Sequence, residues 1–420
     1  MSRLIAFFIF ICDLSLCLMQ FKNILGQSAL KQHLAEIVQH NRLSHALLFL
    51  GKEGNGALLT ALAFAQYIVC EKVNGKHTAQ TAASLFNDGA AVLSGEGSQY
   101  DSCGNCNACL KAAEYIHPDI HFSYPVIKKD FEKPKSTDFI QQWRAFIKLQ
   151  PYGNAFDWLQ FIGAENKQGN IPNEECKDIL HKLSLKSFES EFKILIMWMP
   201  EYLGNEGNKL LKLIEEPPIN TLFIFVAENE SFVLPTILSR CQLVKIPALL
   251  VNDIEEGLIQ QCNLPISLAK QIAGLSEGNF REAMKLVQHV DDDWLDLLRE
   301  WLNATLKTGP AAQVKWIDDI SKLGREKQKQ FLRYFNHLLE QSIRFRILGD
   351  KSTISFAEKE LKFISRINAL ATIAQQKAII EELDKATWYI ERNANARMLF
   401  HALTIKLYHI IRDNAMISVW

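Results

Sequence analysis

The segment His45-Ala-Leu-Leu-Phe-Leu-Gly-Lys-Glu-Gly-Asn-Gly56 joins an apolar run to a glycine-rich turn, and a helical pattern starts directly after it at Ala57. A continuous apolar run of this length predicts a buried strand. A glycine-rich turn between a strand and a helix is the context of a phosphate-binding loop, because its backbone N–H groups and the helix dipole favour an anion. Gly51, Gly54 and Gly56 are therefore candidate nucleotide-binding residues.

The loop lacks the side chains that ATP hydrolysis needs. A working loop continues with Lys, which reaches the β- and γ-phosphates, and with Ser or Thr, which holds Mg²⁺, whereas this chain has Ala57 and Leu58. An acidic residue is also expected where the next core strand ends, but Met197, Trp198 and Met199 stand there. Two separate losses indicate a retired nucleotide site, so we expect that this chain does not hydrolyse ATP.

Further patterns extend this unit into an α/β domain. Lys193–Trp198 and Thr221–Val226 have the length and continuity of central parallel strands that are covered on both faces. Helical patterns at Gln27–Gln39 and Ala57–Val69 lie on either side of the predicted strand His45–Leu50. The front half of the chain is therefore predicted to be a parallel sheet with flanking helices.

The rest of the chain departs from this plan. Residues 71–101 are polar and rich in small residues, and residues 127–160 mix Lys and Asp with aromatic residues, so both are predicted to be surface insertions. From about Asn252 the pattern changes to short amphipathic helices, and beyond Asp291 no strand-like run remains. Apolar residues at helical spacing predict two core-facing stripes: Phe331, Tyr334, Phe335, Leu338 and Leu339, and Ile379, Ile380, Leu383, Thr387 and Ile390.

Two motifs in the front half carry a family resemblance. Leu210-Leu-Lys-Leu-Ile-Glu-Glu-Pro-Pro218 and Leu234-Pro-Thr-Ile-Leu-Ser-Arg-Cys241 resemble the clamp-loader subunits of bacterial DNA polymerase III, which are AAA+ proteins, and the lost ATPase residues point to the delta prime type among them. The resemblance implies an α/β AAA+ P-loop-type domain with a parallel sheet at 19–247. A small helical lid domain at 248–290 and an all-α collar domain, which joins subunits in a ring, at 291–420 would follow.

The same resemblance assigns functions to two arginines. Arg240, in the Ser-Arg-Cys triplet, would be an arginine finger that acts in trans on ATP bound in a neighbouring gamma or tau subunit. Taken without its motif, Arg240 would be a surface ion pair. Arg281, in Gly278-Asn-Phe-Arg-Glu-Ala283, is similar to the family's sensor-2 arginine, and an ion pair with Glu277 or another nearby carboxylate is the alternative interpretation.

The nine cysteines of the chain are unevenly placed. Three stand at two-residue intervals in one hydrophilic loop, Cys103, Cys106 and Cys109. In a long Lys/Glu-rich chain this spacing favours metal ligation over disulfides, and a tetrahedral Zn²⁺ requires a fourth ligand. By the resemblance Cys70 is that ligand, although residues 71–102 separate it from Cys103, and His117 is the alternative. The implied zinc module spans 70–109, and its Zn²⁺ would be structural.

Composition and the N-terminus limit the remaining possibilities. Lys and Arg number 46 and Asp and Glu 47, which gives a formal net charge of −1, so bulk electrostatics does not favour a chain that coats nucleic acid.

Residues 1–18 form an apolar leader that Asp13 interrupts. No small-residue cleavage site follows it, so we expect a start codon assigned too early, with Met19 as the true start, rather than a signal peptide.

The resulting functional hypothesis is a delta prime-like clamp-loader subunit that lends Arg240 to a neighbouring ATPase. Its expected partners are the gamma/tau and delta subunits, the sliding clamp and, through the assembly, primed DNA, with a cytoplasmic location and no membrane partner. Two alternatives remain open. One is an active gamma/tau-type ATPase subunit, and the other is a zinc-dependent DNA-binding protein built on a relic of a P-loop.

Overall fold

A computed structural model of the chain describes residues 19–74, 100–128, 132–164, 169–287, 294–348, 358–392 and 394–412. The predicted leader and most of the 71–101 insertion lie outside the described residues. Contacts between residues divide the described chain into two units. The first comprises the residues up to Leu264 together with Glu277–Glu282, and the second comprises Pro265–Ser276 and the residues from Ala283 onward.

A five-stranded parallel sheet forms the centre of the first unit. Its strands are β1 (Ala46–Leu50), β2 (Ile120–Ser123), β3 (Lys193–Trp198), β4 (Thr221–Ala227) and β5 (Gln242–Lys245). Their order is β2-β3-β4-β1-β5, and each neighbouring pair is parallel. Every residue of β3 and β4 is buried, as the continuous apolar runs predicted. The predicted α/β fold class is confirmed.

Nine helices of the first unit surround this sheet within the described residues. They are α1 (Ser28–Gln39), α2 (Ala57–Val69), α3 (Asn107–Ala113), α4 (Ile140–Leu149), α5 (Ala155–Phe161), α6 (Asn173–Ser184), α7 (Leu211–Glu215), α8 (Pro235–Leu238) and α9 (Val251–Cys262). Short 3-10 turns at 21–23, 136–139, 200–202, 204–210 and 230–232 supplement them. Helix α2 is buried over its whole length, which explains why its sequence is apolar on every face.

Residues 136–161 do not form the predicted surface insertion. Trp143 on α4 and Trp158 on α5 are fully buried, with rings 5.3 Å apart. Tyr124 stacks on Trp143 at 4.1 Å, and Trp198 at the end of β3 lies 5.2 Å from Trp143. The prediction of a surface insertion at 127–160 is therefore wrong from residue 136 onward, because Trp143 and Trp158 lie on the inner faces of amphipathic helices whose outer faces carry exposed residues such as Lys148.

The second unit is helical. Its helices are α10 (Ile266–Leu275), α11 (Phe280–Val287, whose first turn belongs to the first unit), α12 (Trp294–Asn303), α13 (Pro310–Lys322), α14 (Arg325–Leu348), α15 (Glu358–Leu370), α16 (Ile373–Glu391) and α17 (Ala396–Arg412). A short π-helix at Ala304–Thr308 follows α12. Its core is built around the stacked rings of Trp301 and Trp316. Both predicted stripes belong to this core, except that Ile380 packs at its edge and Thr387 is not part of it. The helical C-terminal half is confirmed, and no helix in the described ranges has the length and apolarity to cross a membrane.

Candidate functional site

The glycine-rich loop between β1 and α2 is fixed to the ends of neighbouring strands. The Gly51 N–H donates to the carbonyl of Ala227 at the end of β4, at 3.0 Å. Buried Asn55 donates through Nδ2 to the Ile246 carbonyl (2.9 Å), and its Oδ1 accepts from the Ala57 N–H (3.1 Å). These bonds give the loop the position of a phosphate-binding loop, at the carboxyl end of the sheet.

Side chains of the same unit pack closely against this loop. Tyr152 is buried, its hydroxyl accepts from the Leu25 N–H (3.2 Å), and its ring packs on Phe280 at 4.8 Å. The Phe280 N–H donates to the Gly54 carbonyl at 3.0 Å. Gly54 has φ +70°, and a Cβ there would lie 1.8 Å from Asn279 Oδ1. The cavity that remains beside the loop has a volume of about 30 Å³, the space of a water molecule or two.

Carboxylates surround this filled loop. Glu53, within the loop, accepts from Nδ2 of Asn154 (2.7 Å) and of Asn279 (3.1 Å). Arg281 donates to both oxygens of Asp157, with Nη2 at 2.6 Å from Oδ1, and its Nη1 lies 3.4 Å from Glu53. The Arg281 side chain is only 10% exposed. The structure therefore joins Arg281 to carboxylates of its own chain, Asp157 and Glu53 rather than Glu277.

Two more carboxylates lie beyond the ends of β3 and β4. Met199, which follows β3, is buried and adopts a left-handed backbone with φ +60°. Glu201 Oε1 accepts from the N–H of Glu228 (2.7 Å) and of Asn229 (3.1 Å). Burial, reinforced by the nearby charges of Glu53 and Glu201, raises the pKa of Glu228 to about 7. Four carboxylates, Glu53, Asp157, Glu201 and Glu228, thus lie near the loop together with the cations of Arg281 and Lys52.

A larger groove of about 1050 Å³ opens beside the loop, outside the ends of β2, β3 and β4. It is lined by Ile127, Lys128, Pro134, Gly169, Asn170, Pro172, Met199, Glu201, Tyr202, Gly204, Glu228, Asn229 and Phe232. None of Gly51, Gly54 and Gly56 contributes to it. Among the described residues that line it, Lys128 is the cationic side chain, and Glu201 and Glu228 are the carboxylates.

Arg240 lies away from the loop cavity, directly after α8. Its Nε donates to Glu215 Oε1 at 2.6 Å, and its Nη2 contacts the same oxygen. Its Nη1 donates to the Thr236 carbonyl (2.7 Å) and to Ser239 Oγ (3.0 Å). The side chain is 32% exposed, so the guanidinium can be reached from outside the chain.

The four predicted cysteine ligands come together in space. Their Sγ atoms all lie within 4.8 Å of one another, and those of Cys103 and Cys109 are 3.9 Å apart. Sulfurs bound to one tetrahedral Zn²⁺ at about 2.3 Å would be about 3.8 Å apart, so the spacing fits this metal. Cys70 is the C-cap of α2 and Cys106 the N-cap of α3, which places the ligands on two helix ends. This cluster of four cysteines could hold a metal ion.

Local hydrogen bonds favour a thiolate at Cys70, whereas the hydrogen bond between Cys109 and Cys70 raises the pKa of Cys109, and burial raises the pKa of Cys106. The Cys103 N–H donates to Cys70 Sγ and the Cys109 N–H to Cys106 Sγ, both at 3.4 Å. A hydrogen bond from the Cys109 thiol holds the pKa of Cys70 near 5, well below its ordinary value. His117 is not a member of the cluster, because its Nδ1 accepts from the Asp119 N–H (3.2 Å) and its Nε2 faces Glu189.

The sequence did not predict the side chain that packs against the loop, Tyr152, or the carboxylate that pairs with Arg281, Asp157. Tyr152 contacts Leu25 across 127 positions, and Arg281 contacts Asp157 across 124, so no local pattern reveals either pair. One local signal was available for Asp157. Asn154 and Asp157 form a reciprocal capping box at the start of α5, a recognisable spacing of polar residues before an apolar run.

Comparison with known proteins gives consistent results. The sequence profile of the family described as "DNA polymerase III, delta subunit" matches residues 26–87 and 75–249, more than half of the chain. The chain is 26% identical to DNA polymerase III subunit delta' of Bacillus subtilis over 59% of its length and 55% of that protein's. It is 24% identical to subunit tau of the same organism, over 77% of its length and 46% of that protein's. The matched segments thus span about half of these curated relatives.

Among solved structures, a DNA polymerase III gamma subunit-related protein of Thermotoga maritima is 14% identical, with a TM-score of 0.35. That alignment covers 91% of this chain and 99% of the other.

Proposed function

Since the chain belongs to the DNA polymerase III delta-subunit family, we propose that it is a delta prime-like clamp-loader subunit that neither binds nor hydrolyses ATP and supplies Arg240 to the ATP site of a neighbouring subunit. The observation that carries this proposal is the filled glycine-rich loop. Tyr152 lies beside Gly56 and packs on Phe280, Asn279 lies against Gly54, and the cavity that remains is about 30 Å³. The gamma/tau and delta subunits, the sliding clamp and primed DNA are the proposed partners of the assembly.

Electrostatics supports the same proposal. A triphosphate needs cations and N–H donors, but this site combines four carboxylates, those of Glu53, Asp157, Glu201 and Glu228, with two cations, Arg281 and the exposed Lys52. Bound ATP would have to displace an ion pair and then lie beside unbalanced carboxylates. An active gamma/tau-type ATPase is thus the less favoured function. The carboxylates oppose a bound nucleotide, and the chain also lacks the loop Lys, the hydroxyl and the acidic residue at the end of β3 that hydrolysis needs.

Arg240 has the properties that a finger in trans requires. Its guanidinium is partly exposed, is permanently charged and lies outside its own chain's loop cavity. A planar fork of N–H donors matches the charge that develops on a transferred phosphoryl group.

We further propose that the cysteine cluster holds a structural Zn²⁺. Four thiolates would close a tetrahedral coordination sphere and leave no open position for catalysis. The metal would join the end of α2 to the start of α3. A zinc-dependent DNA-binding function is less favoured, because a chain with a net charge of −1 offers little electrostatic attraction to DNA.

Two measurements test the proposed function. The isolated chain should not bind a fluorescent ATP analogue at millimolar concentration, with the organism's own tau/gamma subunit as the positive control, and micromolar binding would refute the proposal. In the reconstituted clamp loader, Arg240→Ala should slow single-turnover hydrolysis at the one site that it serves by about 10³-fold. Arg42→Ala, at an exposed position elsewhere on the first unit, is the matched control. Unchanged hydrolysis with Arg240→Ala would exclude the finger.

A further inference from the structure

The guanidinium of Arg240 is already fixed before any partner is present. An arginine has five N–H donors, and four contacts to three acceptors hold this one. Glu215 Oε1 accepts from Nε and Nη2, while the Thr236 carbonyl and Ser239 Oγ accept from Nη1. Thr236 and Ser239 belong to the arginine's own turn, so Glu215 is the one of the three that comes from another element.

The position of Glu215 is itself well determined. It is the last residue of α7, where the Glu216 N–H still bonds to the Lys212 carbonyl at 3.0 Å. Two prolines follow directly at 217 and 218 and prevent the helix from continuing. The carboxylate therefore projects from a fixed helix end and not from a mobile loop.

The contact decides which edge of the guanidinium is available. Nε and Nη2 form one edge of the planar fork, and Nη1 and Nη2 form the end edge. Glu215 accepts from Nε and from one N–H of Nη2, and Thr236 and Ser239 accept from Nη1, so the second N–H of Nη2, at the end edge, is the donor left for another anion. A charge-assisted hydrogen bond is directional, so the direction of this N–H matters for the proposed reaction.

We infer that Glu215 is a positioning residue for Arg240: it directs the remaining Nη2 N–H of the guanidinium towards the phosphates of the neighbouring ATP. The inference rests on the proposed function, in which Arg240 acts in trans. The Glu215 side chain is 46% exposed. Because a partly exposed ion pair contributes little to the free energy of folding, stability does not explain this contact. Its benefit lies in ordering a flexible side chain before the neighbour arrives, which we expect to change the rate about 5- to 10-fold.

The contact can first be tested in the isolated full-length chain. With ¹⁵N-labelled arginine, the Nε–H resonance of Arg240, assigned through Arg240→Lys, should exchange slowly with solvent in the wild type and at least several-fold faster in Glu215→Ala. Glu216→Ala, the adjacent exposed glutamate, is the matched control and should leave the resonance unchanged. Equal exchange in the wild type and Glu215→Ala would overturn the inference whatever the function of Arg240.

The effect on the reaction is tested in the reconstituted clamp loader. Glu215→Ala should lower single-turnover hydrolysis about 5- to 10-fold with the KM for ATP unchanged, because the residue orients and does not bind. Glu215→Gln should retain at least half of the wild-type rate, since its amide oxygen still accepts from Nε and Nη2. In the Arg240→Ala background, Glu215→Ala should have no further effect, as expected for a residue that acts through Arg240.

The outcomes separate the two hypotheses. If Arg240→Ala leaves hydrolysis unchanged, the proposed function fails. If Arg240→Ala slows hydrolysis but Glu215→Ala does not, or makes it faster, only the positioning by Glu215 fails. An additive loss in the double variant would likewise overturn positioning, because it would assign Glu215 an effect independent of Arg240.

Discussion

Replacing Tyr152 with alanine should test whether this side chain is a structural substitute for nucleotide. The ring is 7% exposed, packs on Phe280 at 4.8 Å, and lies where a Cβ on Gly56 would be 3.1 Å from Cε1. Removing a buried aromatic ring typically costs about 3–5 kcal/mol, since contacts are lost and a cavity remains. Tyr152→Phe keeps the ring and removes only the hydroxyl that accepts from Leu25, so its cost should be about 1 kcal/mol.

Amide hydrogen exchange in β1 and β4 is the appropriate assay, because these amides exchange through unfolding of the first unit and do not report on the second. The free energy of opening should fall by about 3–5 kcal/mol in Tyr152→Ala and by about 1 kcal/mol in Tyr152→Phe. A loss below about 1 kcal/mol in Tyr152→Ala, or equal losses in the two variants, would refute the idea that the ring fills a close-packed site. Adding ATP should not restore the stability of Tyr152→Ala, because Glu53 and Glu228 still oppose an anion.

Three other predictions concern the remaining charged groups and the cysteine cluster. Metal analysis of the purified chain should find one Zn²⁺ per molecule and less than about a tenth of that in Cys109→Ser, whereas Cys241→Ser, outside the cluster, should retain it. The pKa of Glu228 is raised to about 7, so the folded chain holds a proton that the unfolded chain releases. Stability should therefore fall as the pH rises from about 5 to 8, and Glu228→Gln should flatten that slope in urea titrations at each pH, while an unchanged slope would contradict this assignment. Arg281→Ala should cost about 3–5 kcal/mol by the same exchange assay, because it leaves Asp157 buried without its cation, and a loss below about 1 kcal/mol would show that the pair contributes little.

Local patterns in the sequence predicted the elements that bear the loop. The predicted bounds of α2 and β3 agree with the structure, and those of β1, β4 and α1 differ by one residue at one end. They could be predicted because a fully buried strand or helix must be apolar over its whole length, and glycines mark the turn between them. The same reasoning failed for the predicted insertion 127–160, because exposed polar residues such as Lys148 interrupt the buried positions around Trp143 and Trp158.

Most residues around the loop could not be predicted, because their contacts join segments that are distant in the sequence. The three closely spaced cysteines could be recognised, and the family resemblance supplied Cys70 across a long insertion. By contrast, Tyr152 and Asp157 approach the loop from segments about 100 positions further along the chain. The sequence therefore predicts a loop without the side chains of an ATPase, whereas the structure was needed to find which side chains pack against that loop.

The packing of Tyr152 and Phe280 against the loop has a consequence for how the domain responds to its surroundings. A protein with an open site gains stability according to the concentration of its ligand, and it loosens when that ligand is scarce. Here the occupant is covalently part of the chain, so it is present at a fixed and very high effective concentration. From the proposed function we therefore expect the domain to behave as if it were permanently loaded, with the same conformation in a cell rich in ATP and in one that has exhausted it.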